Sequence, residues 1–126
     1  LISLYGVIRH PGVFSAAACV STHWPLHVDL NEMAATRRFI GFLEAAMPAP
    51  GSARFYFDFG TEELDGRYEP HQQLIDDMMH RLGYTEGEDW VTQKFEGAGH
   101  SEVAWNERSE VPLEFLLQPR SAAQIQ

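Results

Sequence analysis

The sequence predicts an α/β fold of three layers (αβα), with helices covering both faces of a parallel sheet. Three observations carry that expectation. Strand-like and helix-like patterns alternate three times along the 126 residues, joined by short links, as in sheets built from crossover units. The segment FSAAACVS (14–21) is apolar and free of charge, which fits a strand buried on both faces. The polar and reactive residues gather in the loops after the strands, STHWP (21–25), GTEELDG (60–66) and GAGHS (97–101), where parallel sheets carry their chemistry.

The elements follow in order. LISLYGVIRH has apolar residues at 1, 2, 4, 5, 7 and 8, the pattern of the end of a buried helix, and Pro11-Gly12 stops it. After the strand at 14–21, helical spacing of Leu30, Met33, Ala34, Phe39, Ile40, Leu43 and Ala46 predicts a helix from Asp29 to Met47, with Asp29 or Asn31 as its cap. PAPGS (48–52) closes that unit, and aromatic-rich RFYFDF (54–59) is a second strand. The next helix runs from Pro70 to Leu82, with Pro in its first turn and Gly83 just past its end. WVTQKF (90–95) is the third strand, and a last helix spans Glu102 to Leu117 across Pro112, capped by Ser101.

Length allows one domain. The chain carries 18 acidic and 9 basic residues, a formal charge of −9. That balance argues against nucleic acid, whose phosphates need a basic face, and gives no attraction to an anionic membrane. No apolar run approaches the ~18 residues that span a bilayer. Cys19 is the only cysteine, so no intrachain disulfide forms; its apolar setting predicts a buried thiol. Nothing requires an oxidising compartment, and a cytoplasmic one is favoured. His23 and His27 are four apart, but Pro25 stands between them and no third ligand is suitably spaced. No metal and no cofactor are expected. His10, His71 and His80 read as surface or helix-end residues.

The loops hold the candidate chemistry. Glu62, Glu63 and Asp65 follow the second strand, with Asp58 at its end, and an acid there can orient an imidazole and support its protonated form. His100 leaves the third strand through glycines. In STHWP, Trp24 is placed to wall a pocket and His23 to touch a ligand.

LYGVIRHPGVFSAAACVS, YFDFGTEE and GAGHSEVAW, with a helix ending in LEFLL, occur in the order and spacing of a known family across almost the whole chain. On these segments the sequence resembles the esterase branch of the α/β-hydrolases, which contains the enterochelin-esterase-like and esterase-D-like enzymes. The resemblance implies a serine carboxylic-ester hydrolase acting on a small-molecule ester. His100 matches the general base. Glu63 is the first choice for the catalytic acid, with Asp65 and Asp58 as alternatives, and Trp24 borders the acyl or alcohol pocket. No G-x-S-x-G occurs among the residues; the seven serines, at 3, 15, 21, 52, 101, 109 and 121, lack the flanking glycines of a nucleophile elbow. On this resemblance, residues 1–126 correspond to a C-terminal half-domain that starts just after the elbow, the nucleophile lying outside the chain. The apolar strand 14–21 would then lie at an edge, predicting self-association or pairing with an N-terminal half. A non-catalytic α/β interaction or assembly module is the alternative.

Overall fold

The computed structural model describes residues 1–119. Three parallel strands, β1 (Ala16–Cys19), β2 (Arg54–Gly60) and β3 (Trp90–Phe95), form one sheet in the order β1-β2-β3. Around them lie α1 (Ile2–Arg9), α2 (Ala34–Ala46), α3 (Glu69–Leu82), α4 (Glu102–Glu107) and α5 (Glu110–Leu116), plus a 3-10 turn at Glu63–Arg67. The α/β expectation is therefore met.

Alternation along β2 builds two cores. Phe55 and Phe57 join Ala17 and Cys19 of β1 against Leu4 and Val7 of α1, Ile40 and Leu43 of α2, and Ile75 and Met78 of α3. Each fully buried side chain of this size contributes about 1.5–3 kcal/mol, which makes this the larger core. The intervening residues, Arg54, Tyr56 and Asp58, are buried on the opposite face under α4 and α5. There Arg54 donates from Nη1 to the carbonyls of Phe115 (3.1 Å) and Gln118 (2.7 Å), satisfying carbonyls that the end of α5 leaves unpaired.

Several boundaries differ from the sequence expectation. The first strand lies at the sheet's edge, as the half-domain reading expects, but it is shorter than 14–21 and its Ala16 and Ala18 are half-buried rather than covered on both faces. Nor is α1 buried all round: Leu4 and Val7 face the core while Ile2 and Tyr5 are exposed. α2 begins at Ala34 rather than Asp29. Asp29 caps a turn instead, accepting the Asn31 N–H at 3.0 Å, and Glu32 takes the Ala34 N–H at 2.6 Å. The last helix is two helices, broken at Arg108–Ser109. Pro112 explains the break, because its ring excludes the carbonyl four residues earlier, that of Arg108. His71 is not at the surface: its ring is buried and bonds Thr36 Oγ1 (2.6 Å) and the Leu30 carbonyl (2.7 Å), tying α3 to α2 and the segment before it.

Two expected caps are present. Ser101 accepts the Ala104 N–H at 3.3 Å, a bond of the type usually worth ~1 kcal/mol. Gly83 closes α3 with φ +93°, a left-handed conformation that favours glycine.

Candidate active site

Because every strand runs the same way, the three loops after them meet at one edge of the sheet. The turn after β2 is drawn tight there. Thr61 and Glu62 both donate their N–H groups to the Ala98 carbonyl at 3.0 Å, and a Cβ on Gly60 would lie 2.0 Å from that oxygen. Only glycine fits such an approach. The GAGHS loop is thereby fastened to the acidic turn.

The fastening brings His100 onto Asp65. His100 Nδ1 lies 2.8 Å from Asp65 Oδ1. The other carboxylate oxygen, Oδ2, accepts the Gly60 N–H at 2.6 Å and the Ser21 hydroxyl at 2.5 Å. With Oδ2 occupied, Oδ1 is left for the imidazole. Glu63 has a different part: its Oε2 accepts the backbone N–H of His100 at 2.8 Å, and it does so from a positive φ of 55°. Gly99 leaves room for that carboxylate, since a Cβ there would lie 2.7 Å from Oε2. The acid on the ring is therefore Asp65, one of the two alternatives, and the first choice, Glu63, holds the loop.

Asp58 is engaged elsewhere. Arg108 grips it side-on, Nε to Oδ2 and Nη2 to Oδ1, each at 3.1 Å, with both residues buried. Tyr56 O–H (2.9 Å) and Ser21 N–H (2.8 Å) complete its bonding. A buried ion pair needs such additional hydrogen bonds to offset desolvation. Burial, reinforced by the charge of Asp58, pushes the Tyr56 phenol well above its ordinary range.

The imidazole of His100 sits between two aromatic edges, Tyr68 at a centroid distance of 5.9 Å and Trp105 at 5.1 Å. Tyr68 is fully buried, and burial together with the Asp65 charge pushes its phenol up to about 12. Its hydroxyl lies 2.7 Å from His23 Nδ1. His23 is thus one aromatic ring away from His100, largely exposed, and shifted below its ordinary value by partial desolvation of its ring and then by repulsion from a charged His100.

Trp24 does not border this site. It is fully buried, packs edge-on against Phe57 at 5.7 Å, and donates Nε1 to Gln72 Oε1 at 2.7 Å. The expected pocket wall is a core residue, because its indole is packed between Phe39 and Phe57 and tied to Gln72. Cys19 is likewise a buried thiol, pushed up to about 12 by burial, which removes the thiolate character of a nucleophile. Among the described residues, no three His, Cys, Asp or Glu side chains stand together as a metal site.

Ser21, Trp105, Arg108 and Tyr68 were not visible as site residues in the sequence. The spacing of Pro112 four residues after Arg108 was the one available clue, since it predicts a helix break where Arg108 can turn inward. Beside these residues, a groove of about 420 Å³ lined by Ala18, Val20, Trp105, Pro112 and Leu113 runs along the open edge of β1. No family model, curated protein or solved structure matches the chain.

Proposed function

We propose that Asp65 and His100 are the acid and base of a serine carboxylic-ester hydrolase, the activity the sequence resemblance implies, with Asp65 in the place for which Glu63 was the first choice. The observation that carries the reading is the bond from the His100 ring to a wholly buried carboxylate, with the ring itself a quarter exposed. A carboxylate on Nδ1 fixes the tautomer in which Nε2 is free to accept a proton, and it stabilises the imidazolium that results. Nε2 takes the proton from a serine hydroxyl as that oxygen attacks the ester carbonyl, then returns it to the leaving alcohol. Both proton transfers use one nitrogen, and Asp65 stays ionised throughout.

Among the described residues no serine hydroxyl bonds His100 Nε2. Ser21 donates to Asp65 and Ser101 caps α4. The nucleophile in this reading comes from a strand laid against the open edge of β1. A parallel strand there would deliver its following turn beside Ser21 and Trp105, next to the imidazole. Apolar grooves flank that edge on both faces, with Tyr5 and Phe14 on the α1 side and Leu113 on the α5 side about half exposed.

The test is labelling of the native gene product with a serine-directed fluorophosphonate. The reading requires one labelled serine and loss of labelling in His100→Ala. Labelling that survives His100→Ala, or none at all, defeats it. The open apolar edge also suits a non-catalytic assembly module, which predicts stable association with a partner chain and no labelling.

A further inference from the structure

Beneath the dyad lies a buried polar cluster. Two carboxylates, Asp58 and Asp65, share their surroundings with a single guanidinium, that of Arg108. Arg108 pairs with Asp58 through two bonds, yet its Nη2 stands 3.7 Å from Asp65 Oδ2. That is an ion-pair distance but too long for a hydrogen bond, and one hydroxyl bridges the two groups from the side. Ser21 Oγ lies 2.7 Å from Arg108 Nη2, 3.0 Å from Trp105 Nε1 and 2.5 Å from Asp65 Oδ2.

The hydrogen-bond capacity of a hydroxyl settles the direction of these contacts. An O–H has one proton to give and two lone pairs to receive. Arg108 and Trp105 can only donate, so they fill both lone pairs. The Ser21 proton then goes to Asp65 Oδ2. Ser21 reaches this position from a positive φ of 45°, a conformation uncommon for residues other than glycine. Its own N–H goes to Asp58 Oδ1, so the backbone is anchored to the acid that holds Arg108.

We infer that Ser21 is a positioning residue that holds Arg108 beyond hydrogen-bonding distance of Asp65 and so leaves Asp65 Oδ1 directed at His100. This rests on the reading of Asp65 and His100 as a catalytic pair. The guanidinium is committed to Asp58, and the hydroxyl bridges it to Asp65. If the hydroxyl were absent, Nη2 would keep Asp58 Oδ1 but lose its second acceptor, while Asp65 Oδ2 would keep the Gly60 N–H but lose its second donor. The two would close on each other, the freed N–H of Nη2 taking the freed lone pair of the carboxylate in a charge-assisted hydrogen bond. The carboxylate would then turn toward Arg108, and less of its charge would face the imidazole.

The test reads the imidazole and does not use hydrolysis. Two-bond proton–nitrogen correlations on the 15N-labelled chain report which ring nitrogen carries the proton in neutral His100, with the assignment checked by loss of the signals in His100→Gln. The expected result is the Nδ1–H tautomer in the wild type and movement toward Nε2–H in both Ser21→Ala and Ser21→Gly. The glycine variant relieves the positive φ while removing the hydroxyl, which separates positioning from backbone strain. Adding Arg108→Gln to Ser21→Gly keeps a donor for Asp58 without the charge and should restore the Nδ1–H form. A wild type without the Nδ1–H form, an unchanged tautomer in Ser21→Gly, or no restoration in the double variant overturns the inference. Should the tautomers behave as expected while the fluorophosphonate labels no serine, the hydrolase reading fails alone.

Discussion

Asp65 Oδ1 lies 2.8 Å from His100 Nδ1, and the carboxylate is wholly buried while the imidazole keeps about a quarter of its surface in solvent. The pair is therefore anchored at one end and open at the other, as a general base requires. The acid is set by the turn that carries it. Glu63 and Asp65 sit on one 3-10 turn, yet one holds the histidine's backbone and the other its ring.

That division of labour predicts unequal effects of isosteric substitution. Asp65→Asn should reduce the rate of fluorophosphonate labelling of the native gene product by about 10³–10⁴-fold, the loss expected when the amide favours the wrong imidazole tautomer. Glu63→Gln keeps an oxygen acceptor for the His100 N–H and should reduce it by less than ~10-fold. Equal losses in the two variants would contradict the assignment of the ring's partner.

Gly60→Ala should unfold or severely weaken the domain. Its Cβ would stand 2.0 Å from the Ala98 carbonyl oxygen, so the turn would have to open and release the Thr61 and Glu62 bonds. A loss of at least ~3 kcal/mol is expected by urea denaturation, from overpacking plus unmet backbone groups.

Trp24 separates a stability role from a site role. Trp24→Phe should cost about 1–3 kcal/mol, chiefly by leaving Gln72 Oε1 without the indole donor. Trp24→Ala should cost about 3–5 kcal/mol. In Trp24→Phe the labelling rate should stay near wild type, because the indole packs against Phe57 and Phe39 rather than beside His100.

Asp76 gives the fold a pH dependence of definite sign. Burial raises its carboxyl above the ordinary 3.8, with Glu86 and Asp77 adding to the effect and the donors Gln72 and Thr92 opposing it. A raised acid in the folded state binds its proton more tightly than in the unfolded chain. The stability it contributes is present at low pH and is lost as pH rises from the ordinary carboxylate range through the raised value. Asp76→Asn retains an Oδ1 acceptor for Gln72 and Thr92, so its urea midpoint should gain on the wild type across that window. A difference independent of pH would refute this.

The edge of β1 predicts association. With its outer ladder unpaired among the described residues and lying between two apolar grooves, the chain at micromolar concentration should sediment as a self-associated species. Tyr5→Glu combined with Phe14→Glu should shift it toward monomer. A wild-type monomer over that range would remove the support for strand addition.

Much of the architecture was legible in the sequence because it follows from local rules. The burial of β2 is written in RFYFDF, the end of α3 in Gly83, the start of α4 in Ser101, and the buried thiol in the apolar run around Cys19. The failures lie where neighbours decide. Asp29 and Asn31 were eligible caps, but the helix starts at Ala34. The segment before it is held elsewhere, by His71 on the Leu30 carbonyl. The run FSAAACVS was expected both as a strand covered on two faces and as the apolar edge of a half-sheet; the edge position is what the sheet shows, with Ala16 and Ala18 half-buried.

The sequence by itself determined the alternation of strands and helices, the three loops where polar chemistry collects, and His100 with a nearby acid as the group of interest. Those features depend on residue type and spacing along the chain. Only the tertiary structure decided which acid meets the ring, that Trp24 belongs to the core, and that Ser21 and Arg108 lie beneath the dyad. Residues 21, 65, 100 and 108 come from four separate segments. Their meeting depends on sheet register, on the close approach at Gly60 and on the helix break before Pro112, and one-dimensional spacing carries no distance between them.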